Sequence, residues 1–400
     1  MKILFFGNTN NHFFEFITHL AQTGHNVTHV VTQKGKLHDP FEKNNKYDKE
    51  PNLKFIDLRE IGEEHLILHQ PNVLNIFNQH FDLAFLEEMG PSFFKYIKCP
   101  IISINIGYNV TNYMDKNFSI NRSSSWSDEF KQSNSAKNLI NKYNEFVYLQ
   151  REGFSQSSKI MTLPTGTVPS EDSIFDEIKV SEKKYLFPYV PKVNKIYRIQ
   201  THIRNFKKKR QLQILFPARL DSPKMHPGYS ERNDKGTDNL FESIKNLSDS
   251  GFFKFSIFNK GMDAPNFIER LRKYDLLKNI QILDTLSYPK FLKVLSRFDI
   301  VIDSVGKSPP GRITTDALQL GVPVICNLND TFIKALSHKS FDVTKYLYHA
   351  NSSLGIVKSI ENILEHYDSR SFDFIDLQKQ LSIILDLDKQ FSYFIRDLFP

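Results

Sequence analysis

The chain has 400 residues, 40% of them hydrophobic and 24% charged, and carries a formal net charge of +7. This composition excludes a disordered chain, the length fits two domains with separate cores, and the charge suits anionic partners as well as an ordinary solvated surface. Its two cysteines, Cys99 and Cys326, sit apart in apolar runs, which excludes a disulfide framework and a zinc site of ordinary ligand spacing.

Ile3 to Phe6 reads as a buried strand ending at Gly7. The spacing of Phe13, Phe16, Ile17 and Leu20 predicts a helix over 12–23, stopped by Gly24-His25, and Val27 to Val31 form the next strand. Further strands are expected at 54–56, 83–86 and 101–104, with helices around 71–80 and 91–97 between them. The apolar start turns polar at Asn8, too short for a secretory signal, and no stretch reaches the length of a membrane span. The expected location is therefore the cytoplasm. Asn109-Val110-Thr111 and Asn121-Arg122-Ser123 match glycosylation acceptors in spelling alone.

Residues 179–210, with Pro188, Pro191 and the run Lys207 to Arg210, show little periodicity and read as the approach to a second domain. The basic run lacks interleaved aromatics and reads as a solvated turn, not a nucleic-acid surface. The alternation then restarts. Strands are expected at 213–216, 254–258, 280–283, 300–302 and 322–325, with helices at 237–248, 265–276, 288–297 and 311–320. Strands alternating with helices predict an α/β chain of two doubly wound units, whose ligands bind beyond the carboxyl ends of the strands.

Arg219 leaves the strand at 213–216, and Lys235 precedes a helix opened by Gly236 and Thr237. A guanidinium and an ammonium near a helix N-terminus suit a diphosphate, though the same pair reads equally as surface cations flanking a loop. Farther on, Ser308-Pro309-Pro310-Gly311-Arg312-Ile313 links a strand to a helix carrying Asp316. Gly311 would let the backbone approach a ligand, and Asp316 could accept from ribose hydroxyls or simply face the helix dipole.

Taken in order, Arg219, Lys235-Gly236, Asn259-Lys260-Gly261, Asp284-Thr285-Leu286, Gly311 and Gly321-Val322-Pro323-Val324-Ile325 resemble the C-terminal domain of retaining glycosyltransferases of family 4. The resemblance covers roughly residues 211–330. It implies a GT-B architecture, two doubly wound Rossmann-like domains facing a central cleft. The expected boundaries are 1–190 for an acceptor-binding domain, 191–387 for a nucleotide-sugar domain, and 388–400 for a helix packing back on the first.

The resemblance further implies transfer with retention, in polysaccharide biosynthesis, from a nucleoside-diphosphate sugar to a glycan, lipid-linked or small-molecule acceptor. It implies neither a metal nor a separate cofactor: Arg219 and Lys235 would neutralise the leaving diphosphate, and no Asp-x-Asp triplet stands at a strand end. Gly261, Thr285, Leu286, Ser308, Pro310, Gly311, Arg312, Ile313 and Asp316 would line the donor. The family's two glutamates fall at Ser308 and Asp316, so the first carboxylate is missing. The insertion 223–232 is longer than the family's and is placed to cover the phosphates.

The N-terminal half matches in layout: Gly7 after the first strand, Gly107 near the fifth, and Leu163-Pro164-Thr165-Gly166 at a turn, with Ile106 where the family often has His. Acceptor-side candidates are Gly7, His12, Glu87 and Glu88, although the two glutamates also read as the N-terminus of the helix at 91–97. Peripheral contact with an anionic membrane is a further expectation. A silent nucleotide-sugar-binding protein and a nucleotide-sugar epimerase remain as alternatives.

Overall fold

The computed structural model describes residues 1–9, 12–34, 50–105, 109–181, 184–186, 211–221, 234–330, 333, 346–368, 377, 381 and 385–399. Ile106, Gly107, Pro188, Pro191, the basic run 207–210 and the insertion 223–232 lie outside them. Among the described residues no helix is long and apolar enough to cross a membrane.

Seven parallel strands build the first sheet: β1 (Lys2–Phe6), β2 (Asn26–Val31), β3 (Leu53–Asp57), β4 (Leu83–Leu86), β5 (Ile101–Ile104), β6 (Lys159–Met161) and β7 (Tyr185–Leu186). Their order is β3-β2-β1-β4-β5-β6-β7, so the chain reverses direction across the sheet between β1 and β4. Alternate side chains explain why the strands read as continuous apolar runs. Ile3, Phe5 and Phe85 face a layer holding Phe16 and Leu20, while Leu4, Phe6 and Leu86 face Val73, Phe77, Phe93 and Phe146. Much of the phenylalanine excess sits here; Phe5 and Phe85, for instance, stack with centroids 4.4 Å apart.

The second sheet contains β8 (Leu212–Phe216), β9 (Phe253–Phe258), β10 (Ile280–Leu283), β11 (Ile300–Ile302), β12 (Val324–Cys326) and β13 (Leu347–His349). Its order is β10-β9-β8-β11-β12-β13, again parallel, with the reversal between β8 and β11. Two compact units result: Met1–Thr165 with Pro169–Tyr189 and Leu387–Pro400, and Gly166–Val168 with Val190–Asp386. The helix Leu387–Ile395 packs on the first unit, where Phe391 and Phe394 meet Phe16 edge-on.

Two expected helices take another form. The segment 71–80 is an α-turn, Pro71–Leu74, followed by a 3-10 turn, Asn75–Asn78, and 91–97 is a 3-10 helix, Gly90–Tyr96. In the latter Ser92 N–H bonds Met89 O and also the Gln150 side chain, which favours the tighter turn. The long helix Asn134–Gln156, which the sequence reading passed over, lies against this turn; a Cβ on Gly153 would sit 1.9 Å from Pro91 O.

Candidate functional site

In an open parallel sheet the loops on either side of the strand reversal part and leave a crevice at the carboxyl edge. In the second unit that edge receives Arg219 and Asp221 after β8, and Asp303 and Ser304 after β11. Asp221 is buried. Its Oδ1 accepts the Met262 N–H at 2.7 Å, its carbonyl accepts the Thr237 hydroxyl at 2.9 Å, and Arg219 Nε lies 3.4 Å from Oδ2. Asp221 thus ties β8 to the turn after β9 through its carboxylate and to the start of the helix Thr237–Leu247 through its carbonyl. Glycine is required in that turn: Gly261 has φ +115°, and a Cβ would meet Leu220 N at 2.6 Å.

Two loops then close on each other. Asp234 accepts from Gly236 N–H and Lys307 N–H through its side chain and from Ser308 N–H through its carbonyl. Gly236, at φ +80°, brings its backbone so near that a Cβ would stand 2.5 Å from Gly306 N. Lys235 is thereby turned inward, and Nζ donates to Ser308 Oγ at 2.6 Å and Ser304 Oγ at 3.2 Å. Ser308 is buried, as is Pro310.

Asp303, also buried, accepts from Gly311 N–H at 3.0 Å and from the Thr314 hydroxyl at 2.7 Å, pinning the start of the helix Arg312–Gln319. Gly311 itself is extended, with φ −112°, and a Cβ would find its nearest neighbour 3.8 Å away.

Asp316, expected at ribose hydroxyls, is buried and already engaged. Tyr288 OH donates to Oδ1 at 3.0 Å, and Arg312 Nε lies 3.6 Å from Oδ2 while its guanidinium covers the Tyr288 ring at 4.1 Å. Burial, opposed by the Arg312 charge, pushes the Asp316 carboxyl up to about 6. Ile313 is half-buried beside Arg312. Thr285 and Leu286 follow β10, the first exposed and the second half-buried. Lys260, half-buried just beyond β9, has its ammonium held below the usual lysine value by burial first and by the Arg219 charge second.

The carboxyl edge of the first sheet carries Gly7, Glu87 and Glu88. Here the structure corrects the helix-terminus reading of the two glutamates, because both are buried beneath the loop after β1. Glu88, at φ +57°, accepts from Asn8 N–H at 3.1 Å and Thr9 Oγ1 at 2.9 Å on Oε1, and from the Thr32 hydroxyl on Oε2. Glu87 Oε2 accepts from Thr9 N–H at 3.3 Å. Burial and the adjacent Glu88 carboxyl hold the Glu87 proton well above the usual carboxylate range. Gly7 makes room for Glu87, whose Cβ would lie 2.8 Å from a Cβ added there. His12 packs its ring on Phe13 and bonds Thr9 O through its backbone.

Asp221, Lys260, Ser304 and Tyr288 received no role from the sequence. Asp221 had a signal, an acidic residue two places after the strand-end arginine. A cavity of about 420 Å³ lies at the opposite, amino edge of the first sheet, lined by Lys2, Asn26, Lys54 and His80 among others. It holds none of the groups above, so the strand reversals, not this cavity, locate the candidate chemistry.

No protein-family model and no curated protein matches the chain. Solved structures do match along its length. Sucrose-phosphate synthase from Thermosynechococcus elongatus is similar over 100% of this chain and 99% of its own, at 11% identity and a TM-score of 0.63. A glycosyltransferase from Rickettsia africae covers 99% of both chains at 15% identity and 0.62. UDP-GlcNAc 2-epimerase from Neisseria meningitidis, bound to UDP-GlcNAc, covers 98% of this chain and 100% of its own at 16% identity and 0.51. Likeness at these identities is likeness of fold, and the chain has the two-unit α/β fold of the GT-B glycosyltransferases.

Proposed function

We propose that this protein is a glycosyltransferase that moves a sugar, with retention, from a nucleoside-diphosphate sugar bound by the second unit to an acceptor bound by the first. The observation that carries the reading is the Lys235 ammonium seated on Ser304 and Ser308 at a strand reversal that also receives Arg219. A departing diphosphate needs positive charge and directed donors, and Arg219, Lys235 and Lys260 offer both without a metal. A glutamate at 308 would pair with Lys235, whereas serine accepts from the ammonium without a carboxylate and leaves room for a substituted sugar, such as an N-acyl one. The fold shared with the Rickettsia africae glycosyltransferase supports the reading. The net charge of +7 supports an acceptor presented at an anionic surface in the cytoplasm, such as a lipid-linked glycan.

A thermal-shift screen of nucleotide sugars tests this directly, since a ligand at a hundred times its dissociation constant adds about 2.7 kcal/mol of stability. Stabilisation by one donor, with release of its nucleoside diphosphate when acceptor is added, is the expected result. No stabilisation by any nucleotide sugar would overturn the reading. The missing carboxylate at Ser308 favours one other reading, a catalytically silent nucleotide-sugar-binding protein, whose mark would be a donor that is bound and never altered. A donor altered in its sugar without any acceptor would instead mark an epimerase.

A further inference from the structure

The cavity at the amino edge of the first sheet is built from one face of three neighbouring strands. Leu4 and Val30 face the layer of Val73 and Phe77. Counting back in twos along β1 and β2 puts Lys2, Asn26 and Thr28 on that same face. Register then sets Lys2 beside Asn26 and Lys54 beside Thr28. These four side chains, with Gln79 and His80 from the turn ahead of β4, line the cavity of about 420 Å³. Thr28 is the buried polar member of the lining, only 8% exposed, and its hydroxyl makes no hydrogen bond to a described residue. Lys2 and Lys54 stand to either side of it, on strands about 10 Å apart, a gap that two lysine stems can close. Neither ammonium has an ion-pair partner among the described residues. Asp82, the acid next to them, is already engaged: Oδ2 accepts the Lys2 backbone N–H at 2.7 Å, and Oδ1 lies 3.3 Å from His80 Nε2.

A buried hydroxyl in a folded protein has a partner with few exceptions, and here the space that supplies one is flanked by two ammonium groups. We infer that this cavity binds a small phosphate ester, with its phosphoryl group held between Lys2 and Lys54 over the Thr28 hydroxyl. A phosphate monoester brings nearly two negative charges and three strong acceptor oxygens, which match two cations and a hydroxyl that donates. Lysine meets such a group as a point charge, so the two stems can adjust to it without a fixed fork. The volume lies within the range of small-molecule sites, and the amides of Asn26 and Gln79 at the rim suit a polar remainder on the ester. The site is separate from the donor edge of the second unit, and it stands or falls independently of the glycosyltransferase reading.

Calorimetry with glycerol 3-phosphate, with glycerol as the uncharged control and with and without saturating UDP, tests the assignment. The parent protein should bind the phosphate and not glycerol, and UDP should leave that binding unchanged. Lys2→Gln and Lys54→Gln should each weaken it at least about tenfold, while UDP affinity stays the same. Both side chains are exposed, so neither variant should lose its fold. Thr28→Val keeps the shape and removes the hydroxyl; it should weaken glycerol 3-phosphate about three- to tenfold without lowering the melting temperature, since no internal hydrogen bond is lost. Lys54→Arg, which keeps the charge, should stay nearer the parent than Lys54→Gln. Absence of glycerol 3-phosphate binding, or equal affinity in the parent and the Lys2→Gln, Lys54→Gln double variant, overturns the site. Displacement of glycerol 3-phosphate by UDP also overturns it, because the phosphate then sits at the donor edge. Flotation with phosphatidylcholine vesicles containing phosphatidic acid separates the two sources of a phosphate ester. Vesicle binding that needs both lysines, from a protein that ignores glycerol 3-phosphate, would replace the soluble ester by a lipid headgroup.

Discussion

At the scale of residues, the proposed donor site turns on the cations that gather at the carboxyl edge of the second sheet. Lys235 donates to two hydroxyls, and a hydrogen bond involving a charged group contributes about 1.5–3 kcal/mol. Lys235→Ala should accordingly weaken UDP binding roughly ten- to a hundredfold by calorimetry, and Arg219→Ala should act in the same direction. Unchanged affinity in both would remove the diphosphate from this edge. Ser308→Glu places a carboxylate against the same ammonium and fills the space beside it. Its expected effect is a loss of UDP affinity of about tenfold, with lower turnover of the native donor. Asp316 titrates abnormally, and that can be read in stability. Its carboxyl is held up to about 6 in the folded protein, against about 3.9 in an unfolded chain. Between those values the folded state binds more protons, so its stabilising contribution is complete below about pH 4 and is lost as pH rises through about 6. The change amounts to roughly 3 kcal/mol for a group this deeply buried. Asp316→Asn keeps the acceptor for Tyr288 and abolishes the dependence. Parallel pH–stability curves for parent and variant would show that Asp316 is not the group responsible.

Elements place these residues through contacts that cross loops. The tightest is the meeting of 234–236 with 305–308, where Asp234 binds three backbone amides from both loops. Gly236 permits it by a left-handed backbone and by lacking a Cβ that would strike Gly306 N. Gly236→Ala should therefore cost at least about 1–3 kcal/mol in urea unfolding, the range for a non-glycine residue held in that conformation, with added cost from the collision. It should also lower UDP affinity, because Lys235 is the neighbouring residue and turns with the loop. A variant of parental stability would mean that the two loops part readily. The 3-10 turn Gly90–Tyr96 plays the corresponding part in the first unit: Gln150 reaches from the long helix to Ser92 N–H and to Glu88 O, and so holds the loop that carries Glu87.

Across the whole molecule, the last helix belongs to the unit made by the first residues of the chain. Phe391 and Phe394 are buried against Phe16, and His19 Nε2 lies 2.8 Å from Asp388 Oδ1 on the exposed margin. Burial of the aromatic side chain carries the attachment, because an exposed ion pair contributes at most about 1 kcal/mol. Phe394→Ala should cost about 3–5 kcal/mol in unfolding of the first unit, the usual range for a core phenylalanine. UDP binding, which the proposed function assigns to the second unit, should persist below that transition. Loss of less than about 1 kcal/mol would indicate a helix that rests on the unit without contributing to its core.

The sequence by itself determined the alternation of strands and helices, because each parallel strand is a short apolar run bounded by turn residues, and each of the predicted second-unit helices carries a periodic apolar face. It also determined the order of Arg219, Lys235, Gly261 and Asp316 along that alternation, since position after a strand fixes the edge on which a residue emerges. It left the long helix Asn134–Gln156 unread: serine and asparagine dilute its apolar period, and its buried face, with Tyr143 and Phe146, acquires meaning only against the cluster it covers. Tertiary structure alone decided that Glu87 and Glu88 are buried beneath the β1 loop, that Asp316 is engaged by Tyr288, and that Asn105 bonds Glu171. Hydrogen-bond satisfaction and burial depend on which strands become neighbours, and in a doubly wound sheet those neighbours lie dozens of residues apart in the chain.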